Sequence, residues 1–579
     1  MNDDDLTPEP VAPEPVAPEP LAPEPVAPAP LAPDLLAPAP SRASERAPSR
    51  RLRAALVTAP ALAIAAGALA VGTGAPAPAL ATTSATTTTS GTSASAGATT
   101  AVPAAATVLA CPGPPSAVAG RVAGPEHAAV GLVLQRDGGA APALGAAELL
   151  TAAARAQQGG PSAPRPAELA GRVARVVVPG DGPGALVAEP VDAAAPVVAG
   201  ASSAVAGSGD LAGLSAAACV APADQLWLVG GTTGPGRSVR LVLANPGSTA
   251  VTVDTTVLTG AGAEAPTGLQ GLSLAPGEQR AVLLEGVVSA PGALAVHVSA
   301  SGGAVAGWLQ EQVLRGLVPG GTDVVVPGAG PADHLLVPAV GAPADGAAPV
   351  LRLAAPGPDP VIARFAVLGP DGAQVLAGVP AAVSVPAGSV VDVPLPGLPA
   401  REVGLVVDAD APVLAAAVTD TAPPAGGAGD LAWTASAAPL QEAALVALPA
   451  DAGDTPLPRA RLVLSAPPAA TGSGGSGGES SVEVSVLDAD GAASPVRTLV
   501  VAPGATTGVD VAELAGAARG PLQGLLLTPV SGPPLVAAVR LGLPAPVAGG
   551  QGGDLVAVLP VAAPPVGATE VRVGLVGAL

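Results

Sequence analysis

The sequence predicts an all-β protein made of tandem two-sheet sandwich domains, set behind a disordered tail and one N-terminal transmembrane helix. Three observations carry that expectation. Runs of Val, Leu and Thr alternate with other residues at a period of two, as in Val251, Val253, Thr255 and Val257, which is the spacing of a half-buried strand. Gly- and Pro-rich turns separate such runs about every 8–12 residues, and nothing between them has a helical period, which disfavours a parallel α/β arrangement. A domain-sized internal repeat then brings the same order of strands and turns back along the chain.

Composition sets the limits. A chain of 579 residues exceeds what one hydrophobic core serves, so several domains are expected. Hydrophobic residues make up 49% of the chain but aromatics only 1%, so the cores must be built from Ala, Val and Leu. The formal net charge of -21 gives no expectation of the broad basic face that a nucleic-acid backbone requires, which argues against nucleic acid as a partner. All basic residues are Arg, so a phosphate-loop lysine is excluded.

Taken in order, residues 1–50 form a tail built on Pro-Glu-Pro-Val-Ala. Frequent Pro removes backbone donors and fixes φ, so an extended, coreless arm is expected. Residues 52–75 follow as the transmembrane helix, with an uncharged run from Ala54 to Val71 that is just long enough to span hydrocarbon. Arg42, Arg46, Arg50, Arg51 and Arg53 all precede the run, which places the tail in the cytoplasm and the remainder outside the cell. The same segment also reads as a signal peptide cleaved after Ala81, in which case the remainder is secreted. Residues 82–103, rich in Thr, Ser and Ala, cannot bury enough apolar area to offset their ordering entropy and are expected to be a flexible stalk, glycosylated or bare.

The exported region repeats itself. Leu241-Val242-Leu243-Ala244-Asn245-Pro246-Gly247 is matched by Leu351-Arg352-Leu353-Ala354-Ala355-Pro356-Gly357 and, more loosely, by Leu462-Val463-Leu464-Ser465-Ala466-Pro467. The middle residues Leu243, Leu353 and Leu464 are 110 and 111 positions apart. Each copy continues into an alternating strand, a hairpin turn such as Pro370-Asp371-Gly372, and further short strands. A Gly-Asp-Leu marker closes the units at Gly209-Asp210-Leu211, Gly429-Asp430-Leu431 and Gly553-Asp554-Leu555, with Gly321-Thr322-Asp323-Val324 as a looser fourth. Four β-sandwich units follow, at 104–225 (degenerate), 226–332, 333–441 and 442–579. The first would open at Leu109-Ala110-Cys111-Pro112-Gly113, with Cys111 in the place of Asn245, and carries an insertion near Glu148 to Ala152 that suits a short helix.

In Cys111-Pro112-Gly113, Cys219, Trp227 with Gly230-Gly231, and Asn245-Pro246-Gly247, the region from about 105 to 575 resembles the uncharacterised actinobacterial exported family DUF5719. The resemblance implies an envelope-associated, immunoglobulin-like β protein and brings no activity, ligand or catalytic residue. The chain departs from the family in its scarcity of aromatics and its long Pro-Glu leader.

Cys111 and Cys219 are the only cysteines, and an oxidising compartment would pair them across the first unit. No catalytic, cofactor-binding or metal-ligating residue emerges. His127, His297 and His334 are scattered, and His297 alternates with Val296 and Val298 as a strand residue does. The Gly/Ser stretch 474–478 formally fits a nucleophile elbow but lacks strand-turn-helix context. Asp488-Ala489-Asp490-Gly491 starts like a calcium loop without its later ligands, and Asp408 with Asp410 suits a solvated strand end. Trp227, Trp308 and Trp433 are candidates for stacking on a ligand, against the plainer expectation that they add bulk to small cores. The expectation is therefore a non-enzymatic, membrane-anchored cell-envelope protein with a structural or interaction role, or alternatively an exported module binding cell-wall glycan or a partner protein.

Overall fold

The alternating runs form strands whose inward residues are the buried ones. In Val251–Thr259, Val251, Val253 and Thr255 are buried while Thr252 and Asp254 face solvent. In Val361–Gly369, Val361 and Ala363 are buried while Ile362 and Arg364 are exposed. The computed structural model describes residues 98–101, 106–116, 126–134, 143–158, 165–166, 168–170, 173–177, 182–190, 196–343, 346–422, 428–449, 459–469, 478–488, 492–516, 522–544, 553–562 and 570–573. The expected tail, transmembrane helix and signal-peptidase site lie outside these residues, as does the stalk up to residue 97. The strand Ala98–Ala101 pairs antiparallel with Glu570–Val573. No helix among the described residues is long and apolar enough to cross a membrane.

The protein is all-β, and its strands fall into four consecutive groups with one shared topology. In the second group, one sheet runs Gln225–Thr233, Gly292–Ser301, Val251–Thr259, Gly262–Glu264; the other runs Val318–Val325, Ala306–Arg315, Arg237–Ala244, Glu278–Leu283. The fourth group repeats this with Ala444–Ala447, Gly524–Ser531, Ser480–Leu487 and Ala493–Val501 against Leu555–Pro560, Val536–Leu543, Arg459–Ser465 and Thr506–Asp510. In the third group a single long strand, Val403–Asp420, serves both sheets, pairing with Ala332–Val340 through its first half and with Val350–Ala354 through its second. The helix Ala152–Gln158 follows the short strand Leu150–Thr151, which pairs in parallel with Glu278 and Gln279 of the second group.

The first group departs from the alignment that its sequence suggests. Thr107–Cys111 pairs with Gly184–Ala188 and holds the sheet position of Gln225–Thr233. The counterpart of Arg237–Ala244 is Glu126–Leu134, which pairs with both Val197–Ala206 and Val173–Val177. Cys111 therefore does not stand in the place of Asn245. A Leu-Ala-X-Pro-Gly ending is turn chemistry, and it serves either strand.

Asn245 itself is a fully buried staple. Its Nδ2 donates to the carbonyls of Thr249 (2.7 Å) and Leu274 (3.1 Å), and its Oδ1 accepts from Gly247 N at 3.0 Å. The side chain thus satisfies the backbone groups that the Pro-Gly turn leaves unpaired.

The cores cross the boundaries between groups. Val130, Leu132 and Leu214 of the first group share a buried cluster with Leu462, Leu525 and Leu559 of the fourth. Trp308, fully buried, packs with Ala110, Ala185 and Ala217 of the first group. Leu414, Leu431 and Trp433 of the third join the core of the second, and Ala339 and Ala432 meet Val463, Val556 and Val558 of the fourth. The groups close into a ring. At its centre the last strand of each, Gly213–Ala218, Val318–Val325, Leu431–Ala435 and Leu555–Pro560, lies against two of the others. Small residues such as Ala216, Ala217, Ala432 and Ala557 let these strands approach closely.

Cys111 and Cys219 form a disulfide, with both side chains buried and Cα atoms 4.1 Å apart. The bond joins one sheet of the first group to the chain leaving its central strand, beside a two-way backbone bridge between Ala110 and Val220 (2.8 Å each way). A Cβ at Gly200 would collide with Cys219 Sγ, so the neighbouring strand must be bare there. Closing a loop of 108 residues is worth about 4–5 kcal/mol on the chain-entropy model. Replacing both cysteines by Ser should therefore lower the unfolding free energy by a large fraction of that amount in denaturant titrations, and a reductant should reproduce the loss in the native chain.

Candidate functional site

Three buried carboxyl groups, Glu311, Asp323 and Asp430, tie the repeats together at and beside the ring's centre; in the sequence Asp323 and Asp430 stand only as unit-boundary markers and Glu311 carries no signal. Asp430 sits at the head of the strand Leu431–Ala435. Its Oδ2 accepts from Leu214 N and Val556 N, each at 2.9 Å, and its Oδ1 from Thr322 N at 3.3 Å. One side chain thereby binds the central strand of every other group. Its own backbone is held by Thr421, whose Oγ1 accepts from Asp430 N at 2.8 Å. Gly321 has φ 104° and lies so close to Asp430 that a Cβ would strike it, so glycine is required on both counts. The equivalent markers Asp210 and Asp554 are exposed, so the fourfold pattern is broken in its chemistry.

A second network ties the second and third groups. Trp433 N donates to Asp323 Oδ2 and its Nε1 to Glu311 Oε2, both at 2.6 Å. Glu311 Oε1 accepts from Arg237 Nη1 at 3.0 Å and from Thr232 N at 3.1 Å. The guanidinium of Arg352 lies 4.7 Å from the centre of the Trp433 ring and pairs with both oxygens of Asp392 at 2.7 and 2.9 Å. It also donates to the carbonyl of Gly231. Gly230-Gly231 is a bulge in the pairing between Gln225–Thr233 and Gly292–Ser301, with Gly231 at φ 78°. A side chain at Gly230 would run into Val325 and Trp433. The sequence carries a signal for this network: Arg352 interrupts the apolar Leu351-Arg352-Leu353 at the position where the neighbouring copies have Val242 and Val463.

The three tryptophans thus have three different settings. Trp308 is sealed between groups and Trp433 is buried in the central network. Trp227 alone of the three borders an open cleft of about 360 Å³, walled by the segments that leave all four central strands, 218–221, 326–330, 436–438 and 560–562. Its indole stacks on His297 with ring centres 4.2 Å apart and planes 19° from parallel. His297 Nε2 meets Gln225 Oε1 at 2.5 Å, and burial lowers the imidazole's affinity for protons, which favours the neutral ring. The cleft offers an aromatic edge, an amide and a hydroxyl (Ser436) on otherwise apolar walls, a surface suited to binding.

The other candidate positions take structural parts. His334 Nδ1 pairs with Asp408 Oδ1 at 2.7 Å, and Asp410 Oδ1 accepts from Ile362 N at 2.8 Å. Asp488 Oδ1 accepts from Ala492 N at 2.9 Å, while residues 489–491 and 470–477 lie outside the described residues. His127 lies on the strand Glu126–Leu134. Among the described residues no group of three or more His, Cys, Asp or Glu side chains is placed to hold a metal ion.

Burial pushes Asp430 up from 3.8 to about 8, against the backbone N–H donors that favour its anion, and likewise raises Asp323 and Glu311. A carboxyl whose folded pKa lies above its unfolded value stabilises the fold fully below about pH 4 and loses that contribution as pH rises toward 8. Unfolding free energy should therefore fall across this window, by up to about 1.4 kcal/mol per pH unit for Asp430 alone, and D430N should flatten the slope by one proton. Stability that instead rises from pH 4 to 8 would mean that the N–H donors hold Asp430 ionised. W433A, which empties a buried site and strands Glu311 Oε2, should cost about 3–5 kcal/mol in denaturant unfolding, whereas W227A should cost under about 2 kcal/mol.

No curated protein matches the chain in sequence. The family of unknown function DUF5719 matches residues 175–512, a span that includes Cys219, Trp227, Gly230-Gly231, Asn245 and all three central carboxyl groups. That match covers more than half of the chain, and on it the protein belongs to the DUF5719 family.

Proposed function

We propose that this chain is an exported, non-enzymatic cell-envelope protein, held at the membrane by a helix at 52–75, in which four immunoglobulin-like β-sandwich repeats form one rigid body outside the cell. The observation that carries the reading is the Cys111–Cys219 disulfide, buried and central to the first repeat. Such a bond is made and kept in oxidising compartments, and export is also what the Arg-flanked apolar segment provides. The shared cores and the Asp430 contacts favour a body whose repeats act together over a string of independent spacers.

A second reading is favoured by the Trp227 cleft. Its walls come from all four repeats and its aromatic edge suits a sugar face or an apolar peptide side chain, so the protein would bind cell-wall glycan or an envelope partner there.

Two experiments separate these outcomes. Fractionation with N-terminal sequencing of the mature protein should find the intact tail in membranes. A start at Thr82 would remove the anchor, and a reduced, soluble intracellular chain would overturn export altogether. Pull-down on envelope polysaccharide should then show retention lost in W227A while W227A remains folded; equal retention by both chains would leave the structural role as the better reading.

A further inference from the structure

Away from the central cleft, the fourth repeat gathers arginines in a chain that is otherwise acidic. Arg459 and Arg461 are two apart on the strand Arg459–Ser465 and so share a face, and Arg540 is the cross-strand partner of Arg461. Like charges directly opposite one another destabilise a sheet unless something answers them. Two carboxylates do so in part. Glu402 lies 3.1 Å from Arg461 Nε through Oε2 and 3.6 Å from Arg540 Nε through Oε1. Asp510 Oδ1 lies 2.8 Å from Arg461 Nη1. Arg540 Nη1 remains buried with no hydrogen-bond partner, and Arg459 is exposed with no ion-pair partner among the described residues. Arg459, Arg461, Arg540, Glu402 and Asp510 line one cleft of about 410 Å³; Glu513, outside the lining and 3.7 Å from Arg497 Nη1, adds its charge to Arg461 at longer range.

We propose that this cleft binds a phosphate-bearing ligand. The lining carries one positive charge in excess, and planar guanidinium forks match the oxygens of an oxyanion. A phosphate, with three free oxygens, can take donors from Arg459 and Arg461 together, whereas a carboxylate has two oxygens and the cleft already holds two carboxylates of its own. Burial lowers the proton affinity of Arg540, with Glu402 acting in the opposite direction, so an added anion would relieve a charge that the fold leaves under-compensated. Free phosphate, a phosphorylated glycan and a lipid headgroup share this chemistry.

The test is titration of the folded chain with inorganic phosphate at constant ionic strength, followed by calorimetry and thermal shift, with acetate as the control anion. Saturable phosphate binding is expected, weakened at least tenfold in R459Q, whose exposed side chain can change without loss of fold, and abolished in R459Q/R461Q with an unchanged circular dichroism spectrum. Absence of saturable binding, equal binding by R459Q, or an equal response to acetate would overturn the proposal. Glycerol phosphate and vesicles of phosphatidylglycerol in phosphatidylcholine then distinguish the sources: competition by the first alone indicates a soluble phosphoester, and Arg459-dependent binding to the second indicates a headgroup.

Discussion

A single carboxyl group, that of Asp430, is the point on which the four repeats converge. Buried polar groups are costly unless they are hydrogen-bonded, and Asp430 meets its requirement only if the central strands of the other three repeats present Leu214, Thr322 and Val556 to it at once. The converse holds for the strands. Each would carry an unpaired N–H into the interior without this acceptor. The need for close approach explains why Gly321 has no side chain and why the strands around the centre are rich in Ala.

Composition makes such a centre valuable. With almost no aromatics, each repeat has a shallow core of Ala, Val and Leu, and the ring gains burial by letting clusters run from one repeat into the next. The few large side chains are placed at the seams: Trp308 between the first and second repeats, Trp433 and Arg352 between the second and third. In the latter seam a charged network replaces bulk. Removing one member of such a network costs more than the network contributes as a whole, because its partner is left buried and unpaired. The ring is thus cooperative at its centre, where the loss of one partner strands another.

The disulfide belongs to the same logic. It fastens the chain just as it leaves the first central strand, next to the cleft wall at 218–221, so the exit segments that form the cleft start from a fixed point. Rigid walls reduce the ordering cost of binding.

The amino-acid sequence by itself determined what depends on neighbours in the chain. Period-two alternation in Val251–Thr259 and Val361–Gly369 specified strands and their buried faces, the recurrence of Leu243, Leu353 and Leu464 specified the repeat, and the only two cysteines specified the disulfide. Tertiary structure alone decided which polar residues matter. Asp210, Asp323, Asp430 and Asp554 carry nearly the same local signature, yet two are buried and two exposed, and the partners of Asp430 lie 108, 126 and 216 residues away. Trp227, Trp308 and Trp433 likewise look alike in sequence and differ wholly in setting. Burial of a polar or aromatic group is fixed by strands that meet only when the ring closes, and no local periodicity records that meeting.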